Sequence, residues 1–344
     1  MTTAFWIFAG FAFLFGAIVG SFLNVVIYRV PAGLSVVSPP SRCPACETPI
    51  AWYDNIPIVS WLVLGGKCRH CSAPISARYA LIEGLTGLFS LGLYWKVAAR
   101  PFEVAITPAQ LPVGAIVLPF VLYFTFLCLL IVIAFVDLDH YIIPHVFTLP
   151  GIALGAATPW LFDWLLADGA LYGFWPPVTP TLSLLGLVFG GLSVLAIYFS
   201  YLALRGVAGL GGGDVTLMAL VGAWLGWPAL VFVFFGSSAQ GTLAAAVAHL
   251  MGTGWLKTPD EIYGPDEPTP GTLEAEPTTA PPPAHGVEPP ADVDRPTDPP
   301  ATPAPPEPEA GLAVPFGPFI ALTAAEHFFL GPYLPRVLSM AYLY

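Results

Sequence analysis

Apolar residues run through this chain in long blocks, and polar residues gather in the short stretches between them. Residues 4–28, 79–97, 113–136, 146–166, 181–204, 229–251 and 312–330 are each almost wholly apolar. A helix needs ~20 apolar residues to cross the hydrocarbon core of a bilayer, so each block predicts a membrane-spanning helix. Asp214–Leu225 is apolar but shorter, and Gly226-Trp227-Pro228 turns it. It is counted as a further span. The pattern predicts an all-α polytopic membrane protein of about eight transmembrane helices.

Two acidic positions stand at the ends of these blocks. Asp137-Leu138-Asp139-His140-Tyr141-Ile142-Ile143-Pro144 closes the run from Val113 to Val136. Pro144 limits that helix, because it lacks an N–H and clashes with the preceding turn. Asp214 follows Gly211-Gly212-Gly213 and opens the short block. Glycines there let the backbone take positive φ and approach another chain closely. Each acid sits at a membrane boundary, where ionisation is possible but desolvation is felt. Taken singly, either could be a helix cap at an interface. Taken together they are a candidate site.

The first soluble segment, residues 29–78, holds five of the eleven Lys and Arg residues. The positive-inside rule therefore places it in the cytoplasm and both chain ends outside. It also carries Cys43-x-x-Cys46 and Cys68-x-x-Cys71, separated by 21 residues. That spacing matches a zinc site with four thiolate ligands. Two disulfides are the alternative, and a reducing cytoplasm argues against them. A loop this small lacks a sizeable core, so metal and the aromatic stretch Trp52–Trp61 are expected to hold it. Cys128 lies inside a span and reads as a small core residue.

Other polar positions inside the blocks are open to two readings. Gly20, Ser21 and Asn24 put small and polar groups on one face of the first span. They suit either close helix packing with an interhelical hydrogen bond or contact with a substrate or cofactor. The N-terminus lacks the basic stretch of a cleaved signal peptide, so this span is expected to be retained. Glu83 is costly in lipid and should face protein or water, as a partner for Arg78, as a loop-binding group, or in a functional role.

Composition agrees with the membrane class: 56% of residues are hydrophobic, 10% are charged and mean hydropathy is +0.75, against ~25% charged in soluble domains. The net charge of −11 is unevenly placed, because Lys257 to Gly311 holds twelve acids and two bases. The same stretch has seventeen prolines between Pro259 and Pro308. Such a composition cannot bury enough apolar area to fold. It predicts a disordered cytoplasmic linker, with a proline-rich recognition peptide as the alternative. The rest of the chain is close to neutral, and no nucleic-acid-binding surface is indicated.

The chain resembles the bifunctional prepilin peptidases, also known as type IV prepilin leader peptidases. The resemblance rests on Gly20–Pro31 and on the two cysteine pairs, with Asn55-Ile56-Pro57 and Ser60-Trp61 between them. It rests also on Asp137-Leu138-Asp139-His140 with Ile143-Pro144, on Gly211-Gly212-Gly213-Asp214-Val215, and on Pro315-Phe316-Gly317-Pro318-Phe319. These motifs follow in order along the whole chain, apart from 253–311. The resemblance implies an aspartic endopeptidase of the bacterial inner membrane, with its active site facing the cytoplasm. Asp137 and Asp214 match the family's catalytic pair, the latter in a G-x-G-D motif. Asp139, Gly211 and Gly213 fall in supporting positions. The expected partners are the lipid bilayer and prepilins or pseudopilins, the substrates of type IV pilus and type II secretion systems.

In that family the cysteine loop is associated with a second reaction, N-methylation of the new amino terminus by S-adenosylmethionine. The resemblance thus implies two cofactors, zinc on Cys43, Cys46, Cys68 and Cys71, and the methyl donor, whose binding residues are not specified. Glu47 and Asp54 are candidates to attract that cation. Two narrower readings are a peptidase without methylation and a non-catalytic, zinc-stabilised membrane assembly protein. The expected divisions are a first transmembrane helix (1–28), the four-cysteine segment (29–78), a transmembrane peptidase core (79–252), the linker (253–311), and a last helix with its tail (312–344). Three positions depart from the family pattern. Thr216 stands where lysine is frequent, His145 where an acid or asparagine is usual, and Asp54 where glutamate is common.

Overall fold

The computed structural model describes residues 3–98, 114–165, 179–206, 211–251 and 314–333. The expected outer loop after residue 98, most of the one between 163 and 180, Gly209-Leu210, the 253–311 linker and the tail after residue 333 lie outside the described residues.

The apolar blocks are helices: α1 (Thr3–Arg29), α3 (Arg78–Ala98), α4 (Gly114–His140), α5 (His145–Leu165), α6 (Pro180–Arg205), α7 (Gly212–Leu225), α8 (Trp227–Met251) and α9 (Gly317–Leu330). The short α2 (Val59–Val63) lies in the cysteine loop. Against the expected eight spans, five described helices (α1, α4, α5, α6 and α8) are long and apolar enough to cross a membrane. Helix α3 has the length but carries Arg78, Glu83 and Lys96. Helices α7 and α9 have 14 residues each, about 21 Å of helix against a hydrocarbon core of ~30 Å.

Helix α7 is short because it is a core element. Leu217 through Leu225 are all buried, as expected of a helix that is apolar on every side. It packs against α5, α6, α8 and α9. Its Trp224 stacks on Phe126 of α4 at 5.1 Å and donates its indole N–H to the Gly151 carbonyl of α5 at 2.9 Å. Tyr123 of α4 meets Phe328 of α9 at 5.0 Å. Such aromatic pairs add ~0.5–1.5 kcal/mol beyond their buried area. Cys128 is half-buried among apolar neighbours of α4, as its sequence context suggested.

Helices α1 and α3 form the second close pair. A Cβ on Gly20 would lie 2.8 Å from the Glu83 Cα, so only glycine permits this approach. Asn24 donates to the Tyr79 carbonyl at 3.2 Å, the interhelical bond that the small-polar face predicts. Bonds of this kind contribute ~0.6 kcal/mol in membranes.

Candidate active site and four-cysteine cluster

Helix α4 ends where Tyr141 takes a left-handed φ of 56° and donates its N–H to the Asp137 carbonyl at 2.9 Å. Pro144 follows, and α5 starts at His145. Asp137 thus sits in the last turn of α4, and it is only 5% exposed. Its Oδ2 accepts the Gly317 N–H from the start of α9 at 2.9 Å.

Asp214 enters from another direction. It occupies the first turn of α7 and is 8% exposed. Its Oδ2 accepts the Gly211 N–H at 3.0 Å, which satisfies one of the donors a helix start leaves unpaired. The capping role considered for Asp214 is therefore real, and only one of its oxygens serves it. Asp137 and Asp214 lie within electrostatic reach of each other. The fold brings them together through Ile143. A Cβ on Gly213 would stand 2.6 Å from the Ile143 Cβ, and one on Gly317 would stand 2.7 Å from Asp137 Oδ2 and 3.3 Å from Ile143 Cδ1. Gly213 and Gly317 are thus the gaps through which α7 and α9 close on the end of α4. The sequence marked Gly213 as supporting but gave Gly317 and Ile143 no role. The signal for Gly317 was the apolar Pro315–Phe319 motif, whose working group is a main-chain N–H, and the signal for Ile143 was the Ile143-Pro144 pair.

Asp139, one turn end beyond, has a different environment. Arg78 donates to both its oxygens, at 2.5 and 2.6 Å, and to the Phe135 carbonyl at 3.2 Å. The guanidinium also lies over the Phe135 ring at 5.0 Å. A bidentate arginine fixes a carboxylate in position as well as in charge. Asp139 is thereby engaged in holding the turn that carries Asp137. Glu83 is not the partner of Arg78. It accepts the Ile58 N–H at 2.7 Å and so serves the loop.

The positions that depart from the family pattern fall in two places. Thr216 and His145 touch, with Oγ1 to Nδ1 at 3.4 Å, and Thr216 also donates to the Gly213 carbonyl at 2.9 Å. Lysine and an acid at these two positions would face each other, and here a hydroxyl–imidazole contact stands in their place. Asp54 meets Arg69 in a forked pair at 2.6–3.0 Å. The Arg69 hydrogen bonds hold its carboxyl below the usual aspartate range. Asp54 is thus paired with Arg69, and Glu47 is largely exposed and faces Arg42 at 4.0 Å.

The cysteine loop is built twice from one local plan. Ser41-Arg42-Cys43-Pro44-Ala45-Cys46-Glu47-Thr48-Pro49-Ile50 and Gly66-Lys67-Cys68-Arg69-His70-Cys71-Ser72-Ala73-Pro74-Ile75 align residue for residue. In each, the first cysteine N–H bonds a carbonyl five residues on, and a left-handed residue (Glu47, Ser72) returns its N–H to that cysteine. Each closes on an isolated bridge, Arg42 with Pro49 and Lys67 with Pro74. The internal repeat was readable in the sequence, and attention to the Cys-x-x-Cys spacing alone missed it. The two turns face each other and gather four sulfurs within 4.8 Å. A metal–sulfur bond of ~2.3 Å in a tetrahedron puts sulfurs ~3.8 Å apart. Cys43 and Cys71 are 3.8 Å apart and Cys46 and Cys68 are 4.0 Å apart, and none is in a disulfide. The donor set and its spacing are compatible with a bound metal.

Residues 14–97 match the bacterial peptidase A24 N-terminal domain, and residues 124–246 match the type IV leader peptidase family. A prepilin leader peptidase/N-methyltransferase of Myxococcus xanthus is 36% identical over 346 residues, covering 96% of this chain and 93% of the relative. Proteins of the same name from Aeromonas hydrophila and Neisseria gonorrhoeae are 34% and 36% identical, covering 69% and 70% of this chain and 79% and 82% of their own length. No solved structure matches the chain significantly.

Proposed function

The chain belongs to the type IV leader peptidase family, and from that premise we propose that it removes the leader peptides of prepilins or pseudopilins and N-methylates the residue that cleavage exposes. The observation that carries the peptidase half is that Asp137 and Asp214, both buried and borne on different helices, flank Ile143, against which Gly213 and Gly317 close.

Two neighbouring carboxyls resist ionising together, so the pair shares one proton and titrates as a unit. The ionised carboxylate takes a proton from water as its oxygen attacks the scissile carbonyl. The protonated partner donates a hydrogen bond to the carbonyl oxygen, on which charge develops. Collapse of the tetrahedral intermediate breaks the C–N bond, and the proton taken from water passes to the leaving amine. The Gly317 N–H and the Gly211 N–H each hold one carboxylate oxygen, which fixes both carboxyls before substrate arrives. Asp139 and Arg78 position the turn without entering the chemistry.

The substrate presents its cut site at the membrane boundary, between a basic leader and an apolar helix. The face bearing Asp137, Asp214 and the cysteine loop is the cytoplasmic face of the bacterial inner membrane, as the loop's basic residues favour. Eight spans, with α3, α7 and α9 completing the bundle, fit that placement. Cys43, Cys46, Cys68 and Cys71 hold a structural zinc ion, and their sulfur spacing supports this. S-adenosylmethionine supplies an electrophilic methyl group for the new amine.

One experiment tests the whole reading. The purified protein is incubated with a prepilin and methyl-labelled donor, and the products are weighed. Mature, methylated pilin is expected. Mature but unmethylated pilin would leave a peptidase alone, and intact prepilin would leave an assembly protein without catalysis.

A further inference from the structure

A cavity of about 320 Å³ opens between the last turns of α1 and the cysteine loop. Ser21, Val25 and Arg29 line it from the helix, and Val37, Asn55 and Pro57 line it from the loop. Two motifs that the dyad does not use, Gly20–Pro31 and Asn55-Ile56-Pro57, thus form opposite walls of one space. The volume is at the small-molecule end of the ~300–1,000 Å³ range for ligand sites. A helix, ~10 Å across with its side chains, would not fit.

The walls are held stiffly. Arg29 donates to the Ser35 carbonyl at 2.9 Å and to the Pro39 carbonyl at 2.8 Å. That uses two of the five N–H donors of a guanidinium, anchors the group and leaves the others for a ligand. On the far wall, Ile58 has φ 63° and ψ −50°, and the Val59 N–H bonds the Pro57 carbonyl at 2.6 Å. This is the strained hand of the γ-turn, which a β-branched residue adopts only where its surroundings hold it. Glu83 stabilises it by accepting the Ile58 N–H at 2.7 Å. Glu83 also lies against the helix wall beside Ser21, where a Cβ on Gly20 would stand 2.8 Å from its Cα, so one buried acid links the loop wall to the helix wall. Among the described residues, no basic side chain forms an ion pair with Glu83.

The cavity therefore has an anchored cation at its Arg29 end, a buried acid without a cationic partner behind Ser21, about two helical turns back along the same wall, and apolar surface between them. A phosphate-bearing ligand would find too few bases and an unwelcome acid. A ligand with a carboxylate at one end, positive charge along its middle and a flat apolar group matches all three features. We infer that this cavity seats S-adenosylmethionine, with Arg29 toward its carboxylate and the Ser21–Glu83 side toward its cationic centre. The inference rests on the methylation half of the proposed function.

Equilibrium dialysis of labelled S-adenosylmethionine against the full-length protein in detergent tests it, together with hydrogen exchange. One donor per chain is expected, with slowed exchange in residues 35–41 and 55–59. Val25→Trp, which fills the cavity from the helix, and Arg29→Gln should each weaken binding at least tenfold, and Arg29→Lys less. Hydrogen exchange on the unaltered protein decides the question even if a variant misfolds. A donor that binds and is used, but protects other segments and ignores Val25→Trp, overturns the cavity assignment and leaves methylation standing. A retained phospholipid in this space that the donor does not displace also overturns it. A protein that neither binds the donor nor methylates fails earlier, at the methylation reading itself.

Discussion

The main-chain N–H of Gly317 donates to Oδ2 of Asp137 at 2.9 Å, across 180 positions of sequence. The last described α-helix thus reaches back to the middle of the chain with a backbone group, and a side chain at that position would collide with the carboxylate it holds. Gly317→Ala should lower kcat for prepilin cleavage by about 100-fold, the cost of a ~1 Å misplacement at a reacting group, while KM changes little. Steady-state kinetics on the purified variant checks this. An alanine variant with unaltered kcat would remove Gly317 from the positioning of Asp137.

Asp137→Asn and Asp214→Asn should each abolish cleavage, by at least ~10³-fold, because each loses proton transfer yet keeps an oxygen to accept the Gly317 or Gly211 N–H. Both variants should insert and melt like the parent. Asp139→Asn keeps one acceptor for Arg78 and should be milder. Product mass after a fixed incubation measures all three, and equal losses at Asp137 and Asp139 would mean that the wrong acid has been assigned.

What the sequence made legible here was chemistry carried by side chains. Asp137 and Asp214 stood out at the ends of apolar blocks and the four cysteines by their spacing, and the structure brings the two acids to either side of Ile143 and gathers the four sulfurs within 4.8 Å. What stayed hidden was work done by the backbone or by mutual approach. Gly317 acts through an N–H and Ile143 through its bulk between two glycines, roles that the motifs containing them do not spell out. The span count stayed open for a related reason. An apolar run such as Leu217–Leu225 looks the same whether lipid or protein surrounds it, and only packing reveals that α7 is a core helix. Glu83 was open between Arg78 and the loop, because a helix register does not tell which of two neighbours an acid will reach.

The Thr216–His145 contact makes a testable pair. Thr216→Lys or His145→Asp alone places one unpaired charge beside the Gly213 turn, whereas the double variant restores opposite charges. A thermal double-mutant cycle should give a favourable coupling of ~0.2–1 kcal/mol, the range for partly exposed ion pairs. Additive effects would separate the two positions energetically despite their proximity.

The protein should purify with one zinc per chain. Cys43→Ser with Cys46→Ser should release it and open residues 40–75 to protease, since thiolate metal sites fold with their metal. The Asp54–Arg69 link should not vary with pH across about pH 5–8. Its carboxyl is held below the ordinary aspartate range, so its contribution is present above that range and is lost only as pH falls through the lowered value. Elemental analysis beside limited proteolysis reads both effects. A metal-free parent with intact thiols would defeat the zinc assignment.

Replacing residues 262–308 by a short Gly/Ser linker should preserve cleavage, because closure entropy varies only slowly with loop length. Complete loss of activity at normal expression would mean that the proline- and acid-rich stretch has a task of its own.

The Gly317 contact also sets an order of events in biosynthesis. A ribosome finishes Asp137 and Asp214 well before it reaches α9, so a nascent chain carries both acids while the first still lacks its donor. On the proposed dyad, cleavage competence is expected to arrive only when α9 docks, and a chain stalled before Gly317 is expected to stay latent. In a membrane crowded with apolar helices awaiting export, a protease that completes itself last has little chance to cut its neighbours before it is folded.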